Sequence, residues 1–217
     1  MTPPTNSSDA ELLRLALAGD EAAFTSLFRR RQAGVYRFAL HMSGSEALAE
    51  DVVQEVFIVL IRDGRNFDPA RGSVAAYLYG IARNHVLRAF ERERGIVPLA
   101  HDGDGEEGAA FDLVSADDPL GELTRGEMIE KLRQAVLALP AHYREVVVLC
   151  ELQELSYADA AAALDCAVGT VRSRLHRARA MLAAKLRDGR RREEAAREGG
   201  AAGGGPPQAL RTARCFA

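Results

Sequence analysis

The stretch Ser156-Tyr157-Ala158-Asp159-Ala160-Ala161-Ala162-Ala163-Leu164-Asp165-Cys166-Ala167-Val168-Gly169-Thr170-Val171-Arg172-Ser173-Arg174-Leu175-His176-Arg177-Ala178-Arg179 decides the fold. Ser156 suits an N-cap, its hydroxyl accepting from a first-turn N–H, and Asp159, three residues on, suits the returning bond of a capping-box variant. The pattern predicts a first helix from Tyr157 to Leu164, a turn at Asp165, Cys166 and Ala167, and a second helix from Gly169. Projected at about 100° per residue, Val171, Leu175, Ala178 and Leu182 fall on one narrow apolar stripe. Ser173, His176, Arg177 and Ala180 point away from it, with Arg172, Arg174 and Arg179 towards the flanks. One side packs and the other is free to meet a ligand, the arrangement of a helix-turn-helix that reads DNA.

The chemistry of the free side fits duplex DNA. Arginine forks bond bidentately to guanine O6 and N7 or clamp phosphates, while Ser and His reach base edges in the major groove. Arg172, Ser173, His176 and Arg177 are therefore the candidates for base contact, and the flanking Arg174 and Arg179 for phosphate. A solvated basic helix closing an ordinary bundle gives the same charge pattern. The capped helix and tight turn before it favour the DNA reader.

Working outward, 217 residues hold one or two domains, and 47% hydrophobic with 27% charged residues is ordinary globular material. The chain has no long uncharged apolar run, and its first residues, Met1 to Ser8, are polar and proline-bearing, so neither membrane insertion nor a leader is expected and the address is cytoplasmic. Cys150, Cys166 and Cys215 are odd in number, widely spaced and without a Cys-x-x-Cys pair. Neither a disulfide framework nor a zinc site follows, and the first two read as small buried hydrophobes.

A net charge of −3 is unusual for a DNA reader until it is divided along the chain. Residues 1–94 carry 12 acidic and 12 basic side chains, and 123–187 carry 7 and 10, whereas 95–122 carry 8 acidic and none basic. That acidic segment, Gly95 to Gly121, contains Gly103, Gly105, Gly108, Pro98 and Pro119 and has no helical period, so it reads as a flexible linker between two helical modules. The first, residues 1–94, reads as four helices: Asp9 to Ala18, one capped by Asp20 and reaching Ser43, one started by Gly44 and Ser45 and reaching Asp63, and one capped by Ser73 and reaching Arg94. On the third, Val52, Val56, Val59 and Leu60 share a face, and Asp51, Gln54 and Glu55 lie off it. The second module, residues 122–187, continues with Leu120 to Leu139, a break at Pro140, His142 to Glu154, and the helix-turn-helix. No strand is predicted. The fold class is all-α, two small helical domains, with residues 188–217 read as a disordered tail around Gly199 to Pro207.

Six strings, in order over both modules, resemble the ECF (extracytoplasmic function) subfamily of the bacterial sigma-70 family of RNA polymerase sigma factors. They are Leu17-Ala18-Gly19-Asp20-Glu21-Ala22-Ala23-Phe24, Ala49-Glu50-Asp51-Val52-Val53-Gln54-Glu55-Val56-Phe57, Phe67-Asp68-Pro69-Ala70-Arg71-Gly72-Ser73, Tyr77-Leu78-Tyr79-Gly80-Ile81-Ala82-Arg83-Asn84, Leu139-Pro140 through Arg144-Glu145-Val146, and Gly169 to Arg179. The resemblance implies that the third helix binds the β′ clamp helices of core RNA polymerase, through Asp51, Gln54, Glu55 and Phe57. Exposed carboxylates and an amide beside a large aromatic suit a helix-on-helix interface, although Asp51 and Glu55 equally suit a solvated helix face.

It also implies that the fourth helix and its preceding loop recognise and open the −10 promoter element. Unpaired bases stack on aromatic and guanidinium planes at about 1–3 kcal/mol each. The candidates are Phe67, Asp68 and Arg71 in the loop, Tyr77, Asn84 and Arg88 on one column of the helix, and Tyr79 and Arg83 opposite. An amphipathic helix also buries such aromatics, and Tyr77 fits either role. The family usually has Trp at Tyr77 and often Asp at Arg88, two departures that bear on −10 preference. Further implied partners are the β flap of the polymerase, promoter DNA read at −35 by the last helix, and an anti-sigma factor. The acidic linker, with Asp102, Asp104, Glu106 and Glu107, reads either as a polyanion for a basic polymerase channel or as a solvated spacer.

The sequence offers no Gly-rich phosphate loop with lysine, no metal-spaced His or Cys cluster and no nucleophilic triad, so no catalytic residue, metal, cofactor or small-molecule substrate is expected. The rival reading, a dimeric helix-turn-helix regulator on an operator, accounts for residues 139–187 and leaves the first 94 unexplained.

Overall fold

A computed structural model describes residues 7–94 and 125–201, with side chains over 7–92 and 126–189. Among these residues every regular element is helical. The first module comprises α1 (Asp9–Leu17), α2 (Glu21–Ser43), α3 (Glu46–Asp63) with a 3₁₀ turn at Gly64–Asn66, and α4 (Val74–Arg94). The second comprises α5 (Arg125–Leu137), α6 (Ala141–Val147) running into a π turn at Val148–Leu152, α7 (Tyr157–Leu164) and α8 (Val168–Ala201).

The helix starts follow from their caps. Asp20 Oδ1 accepts from Ala23 N at 3.0 Å, Ser45 Oγ from Leu48 N at 3.2 Å and Ser73 Oγ from Ala76 N at 3.2 Å. Each satisfies one of the donors that a helix leaves unpaired in its first turn, an effect of about 1 kcal/mol. Gly44 ends α2 in the left-handed region at φ 74°. A side chain there would also press on Leu137, whose Cδ1 would lie 3.2 Å from an added Cβ.

Between them α1 to α4 bury Leu12, Leu27, Phe38, Met42, Leu60 and Leu78, each at most 1% exposed. α2 lies at the centre of this bundle, against α1, α3 and α4. In the second module α8 runs across α5, α6 and α7 and buries Val171, Leu175 and Ala178 against them, as the stripe predicts, with Leu182 half-buried.

Three features differ from the sequence reading. The predicted helix His142 to Glu154 is α6 plus a π turn whose extra residue per turn carries the chain out of α register at Val148–Leu152, and Glu154 closes the segment at φ 55°. The C-terminal helix does not stop near residue 187; it continues unbroken to Ala201, and residues 202–217 lie outside those described. Finally, the modules do not stand apart. α4 packs against α7 and the end of α2 against α5, α6 and the π turn, so that one contiguous apolar cluster includes both.

Candidate nucleic-acid interface

α7, the turn and α8 form the expected helix-turn-helix. Ser156 Oγ accepts from Asp159 N at 3.0 Å and donates to Asp159 Oδ2 at 2.9 Å, so the reciprocal bond goes to the cap's hydroxyl instead of its backbone. Asp165 terminates α7 in the left-handed conformation, φ 50° and ψ 49°, one that Asp and Asn tolerate better than other side chains. With Val171, Leu175 and Ala178 buried, Arg172, Ser173, His176, Arg177 and Arg179 are exposed and Arg174 is half-exposed. Two of these arginines are already oriented. Arg172 lies over the Tyr157 ring at 5.9 Å, a cation–π contact, and Arg179 Nε donates to Glu151 at 3.0 Å. The Ser173 hydroxyl turns back to donate to Thr170 O at 3.0 Å and keeps lone pairs free to accept.

On α3 the structure corrects one expectation. Phe57 is 4% exposed and packs edge-on against Phe28, ring centroids 4.7 Å apart, and against Phe24 at 6.2 Å. It belongs to the core because α2 supplies an aromatic wall on that side. The exposed face carries Asp51, Gln54 and Glu55 as expected, and beside them Ile58 and Ile61, 53% and 60% exposed. Ile58 follows Asp51 by seven residues and Ile61 follows Gln54 by seven, which places each pair on one column of the helix. Two β-branched residues off the buried stripe were the sequence signal for them.

On α4 and its loop the expected residues divide. Asp68, Arg71, Asn84 and Arg88 are exposed. Phe67 and Tyr77 are half-buried against each other, centroids 5.6 Å apart, and burial pushes the Tyr77 phenol up from its ordinary pKa. Asp68 Oδ1 accepts from Ala70 N at 2.9 Å and fixes the loop as an Asx turn.

Tyr79 and Arg83 are not available as drawn. Tyr79 is 6% exposed, packs on Phe38 at 5.4 Å, and donates its hydroxyl to Gln153 Oε1 at 3.0 Å. Arg83 Nε donates to Glu145 Oε1 at 2.8 Å, with side chains 18% and 2% exposed. Both sit on the side of α4 that the second module covers.

Further bonds join the modules. Ser73 N donates to Asp159 Oδ1 at 2.9 Å, Arg71 Nη2 lies 3.5 Å from Asp165 Oδ1, and Arg144 donates across to the carbonyl of Met42, while within module two it also donates to those of Leu137 and, at 3.0 Å, Leu139. Burial raises the Asp159 pKa, but the bonds from Ser73 and Ser156 together outweigh it and hold the carboxyl below its usual range. Small residues permit the approach: a Cβ on Gly72 would meet that of Ala162 at 3.0 Å, and one on Gly80 the carbonyl of Ala163 at 3.3 Å. A cavity of about 390 Å³ remains at this seam, between Phe67, Arg71, Tyr77 and Asn84 on one side and Ala162 and Asp165 on the other.

Among the described residues no group of His, Cys, Asp and Glu could hold a metal ion, and no helix is long and apolar enough to cross a membrane. Cys150 is half-buried, and burial with Glu151 nearby pushes its thiol up to about 11.

An all-helical fold among the described residues, with a basic, outward-facing second helix in a helix-turn-helix, defines a DNA-binding protein. The comparisons make it particular. The family Sigma-70 region 2 matches residues 27–96, and Sigma-70, region 4 matches residues 129–182. The chain is 37% identical over 169 residues to the ECF RNA polymerase sigma factor SigE of Mycolicibacterium smegmatis, a match covering 76% of this chain and 63% of that protein. It is 32% identical to SigW of Bacillus subtilis, over 78% of this chain and 92% of that one, and 36% identical to the sigma-E factor of Escherichia coli, over 82% and 94%. Among solved structures it resembles CnrH in complex with the cytosolic domain of CnrY, with TM-score 0.62 and 26% identity over 84% of this chain and 99% of that one. It also resembles the sigma factor RpoE in complex with the anti-sigma factor NepR from Bartonella quintana, with TM-score 0.56 and 27% identity over 76% and 96%. The chain belongs to the ECF subfamily of sigma-70 factors.

Proposed function

We propose that this chain is a transcription initiation factor that binds core RNA polymerase and directs it to specific promoters. The observation that carries the reading is the presence, in order on one chain, of the two sigma-70 regions, each on its own helical module. An operator-binding regulator needs only the second.

In this reading module one, residues 1–94, holds the β′ clamp helices with the exposed face of α3: Asp51, Gln54 and Glu55 give polar register, and Ile58 and Ile61 take the apolar role first given to Phe57. The loop Phe67 to Arg71 with Tyr77, Asn84 and Arg88 meets the −10 element. Module two, residues 122–187, sets α8 in the −35 major groove, with Arg172, Ser173, His176 and Arg177 towards bases and Arg174 and Arg179 towards phosphates, and meets the β flap. The segment 95–121 joins them. The polymerase supplies the phosphodiester chemistry and the chain none. It works in the cytoplasm, with an anti-sigma factor as its regulating partner.

Run-off transcription tests this. Core polymerase plus the chain is expected to give a discrete transcript from a template bearing the promoter upstream of its own gene, and core polymerase alone none. Binding to duplex DNA without polymerase, and no transcript with it, would replace this reading by the operator-binding one.

A further inference from the structure

The outward column of α8 does not end where the helix-turn-helix does. Ser173, His176 and Arg177 lie on it, and further along come Ala180 and Ala184, all exposed. Arg187 follows Ser173 by 14 residues and Arg191 follows Arg177 by the same interval, about four helical turns, which keeps both positions on that column. Arg187 is exposed and bonds no described residue, unlike Arg179, which Glu151 holds. Residues 185–192 hold five basic side chains and one acidic, and Glu193-Glu194 ends the run.

The spacing suits a duplex. A major groove about 12 Å wide and 8.5 Å deep contains about ten residues of a helix that enters it N-terminus first, at ~1.5 Å per residue. With residues 173–177 at base edges, the helix therefore leaves the groove near Ala180 and Ala184, where a side chain longer than a methyl would hold it off the sugar-phosphate wall. Arg187, ten residues or about 15 Å beyond Arg177, stands outside that wall.

We propose that the continuation of α8 makes a second DNA contact, in which Arg187 and Arg191 bond phosphates of the strand that walls the −35 groove and Ala180 and Ala184 allow the close approach. The occupant is the duplex backbone because the column continues the base-reading one without a break and its charge is opposite to that of DNA. The inference rests on the placement of α8 in the −35 groove. These contacts carry no sequence information; they fix the register of the reader and add affinity to a chain of net charge −3.

The test is a fluorescence-anisotropy titration of the full chain on a labelled duplex carrying the −35 element, repeated between about 50 and 200 mM salt. Arg187→Gln/Arg191→Gln is compared with Lys185→Gln/Arg192→Gln, which removes the same charge from the same two turns but at roughly 100° or more from the Ser173 column. Loss of two phosphate contacts is expected to flatten the slope of log affinity against log salt by about 1.8, at ~0.9 per contact. Over this range wild type then loses about twelvefold more affinity than the column variant, while the off-column variant keeps a slope within about 0.5 of wild type. A duplex with a scrambled −35 element is expected to show the same flattening, since backbone contacts are blind to sequence. Equal slopes for wild type and the column variant, or the same drop in both variants, overturn the proposal. A deficit that appears only when core polymerase is added assigns the two arginines to a protein partner and overturns it as well. Arg177→Ala separates this inference from the reading beneath it. If that variant binds the −35 duplex as wild type does, α8 is not the reader; if it binds more weakly while the column variant keeps the wild-type slope, only the second contact is lost.

Discussion

The Arg83–Glu145 pair is the most exposing test of how the modules are held. Glu145 is the one charged residue among the described residues that is almost wholly buried, its side chain 2% exposed, and Arg83 is 18% exposed at 2.8 Å from it. Glu145→Met removes the carboxylate and strands the guanidinium in an apolar seam; losing one partner of a buried pair costs about 3–5 kcal/mol. Arg83→Met strands the carboxylate at similar cost. The double variant replaces both charges by apolar side chains of similar volume, so its net change is expected to be well below the sum of the two single costs. Against a total of about 5–15 kcal/mol for a protein of this kind, each single variant takes a large share of the stability. Urea denaturation of the full chain followed by far-UV circular dichroism gives the four corners of the cycle. The expected coupling is about 3 kcal/mol or more; costs that add to within about 0.5 kcal/mol, the behaviour of independent sites, would refute the idea that the pair spans a closed seam.

Other expectations are simpler. Arg177→Ala is expected to cost about 1–3 kcal/mol of holoenzyme affinity for a promoter with its −35 element, measured by gel shift, and to leave core polymerase binding unchanged. Ile58→Lys should leave the thermal melt intact, because Ile58 is 53% exposed, while weakening core polymerase binding by about 2 kcal/mol in a fluorescence titration. Burial, with Arg133 and Arg37 adding, lowers the pKa of His41. As pH falls past about 6.5 the unfolded chain therefore takes up the proton first. Stability is full above that pH and declines below it, and His41→Gln is expected to flatten the slope of melting temperature against pH. Alkylation of Cys150 by iodoacetamide at mildly alkaline pH, followed by mass spectrometry, should run roughly 10- to 100-fold slower than for a free thiol, because its thiol is pushed up to about 11.

The helix ends were legible because caps act within three residues of their own sequence position: Asp20, Ser45, Ser73 and Ser156 each make the bond their side chain predicts. The stripe on α8 was legible for the same kind of reason, since its burial is set by its own period. Ile58 lies off the Val52, Val56 and Leu60 stripe and Phe57 at its margin; Phe24 and Phe28 on α2 complete the burial of Phe57. Tyr79 and Arg83 were misplaced because their partners lie 74 and 62 residues away, across the acidic segment, with no periodicity linking them. The π turn hid inside a helical pattern because one extra residue shifts the register without changing composition.

α8 has a further consequence. The side chains assigned to the −35 groove occupy its first few turns, and the same helix runs without a joint to Ala201, 34 residues or about 51 Å in all at ~1.5 Å per residue. Such a rod is a lever with its fulcrum at Leu175 and Ala178, where it is buried. A tilt of about 5° there moves Ala201, roughly 35 Å from the fulcrum, by roughly 3 Å, and the first turn, roughly 10 Å away on the other side, by about 1 Å. A contact made at Ala201 therefore sets the angle at which the helix lies in the groove and leaves the base step it meets unchanged.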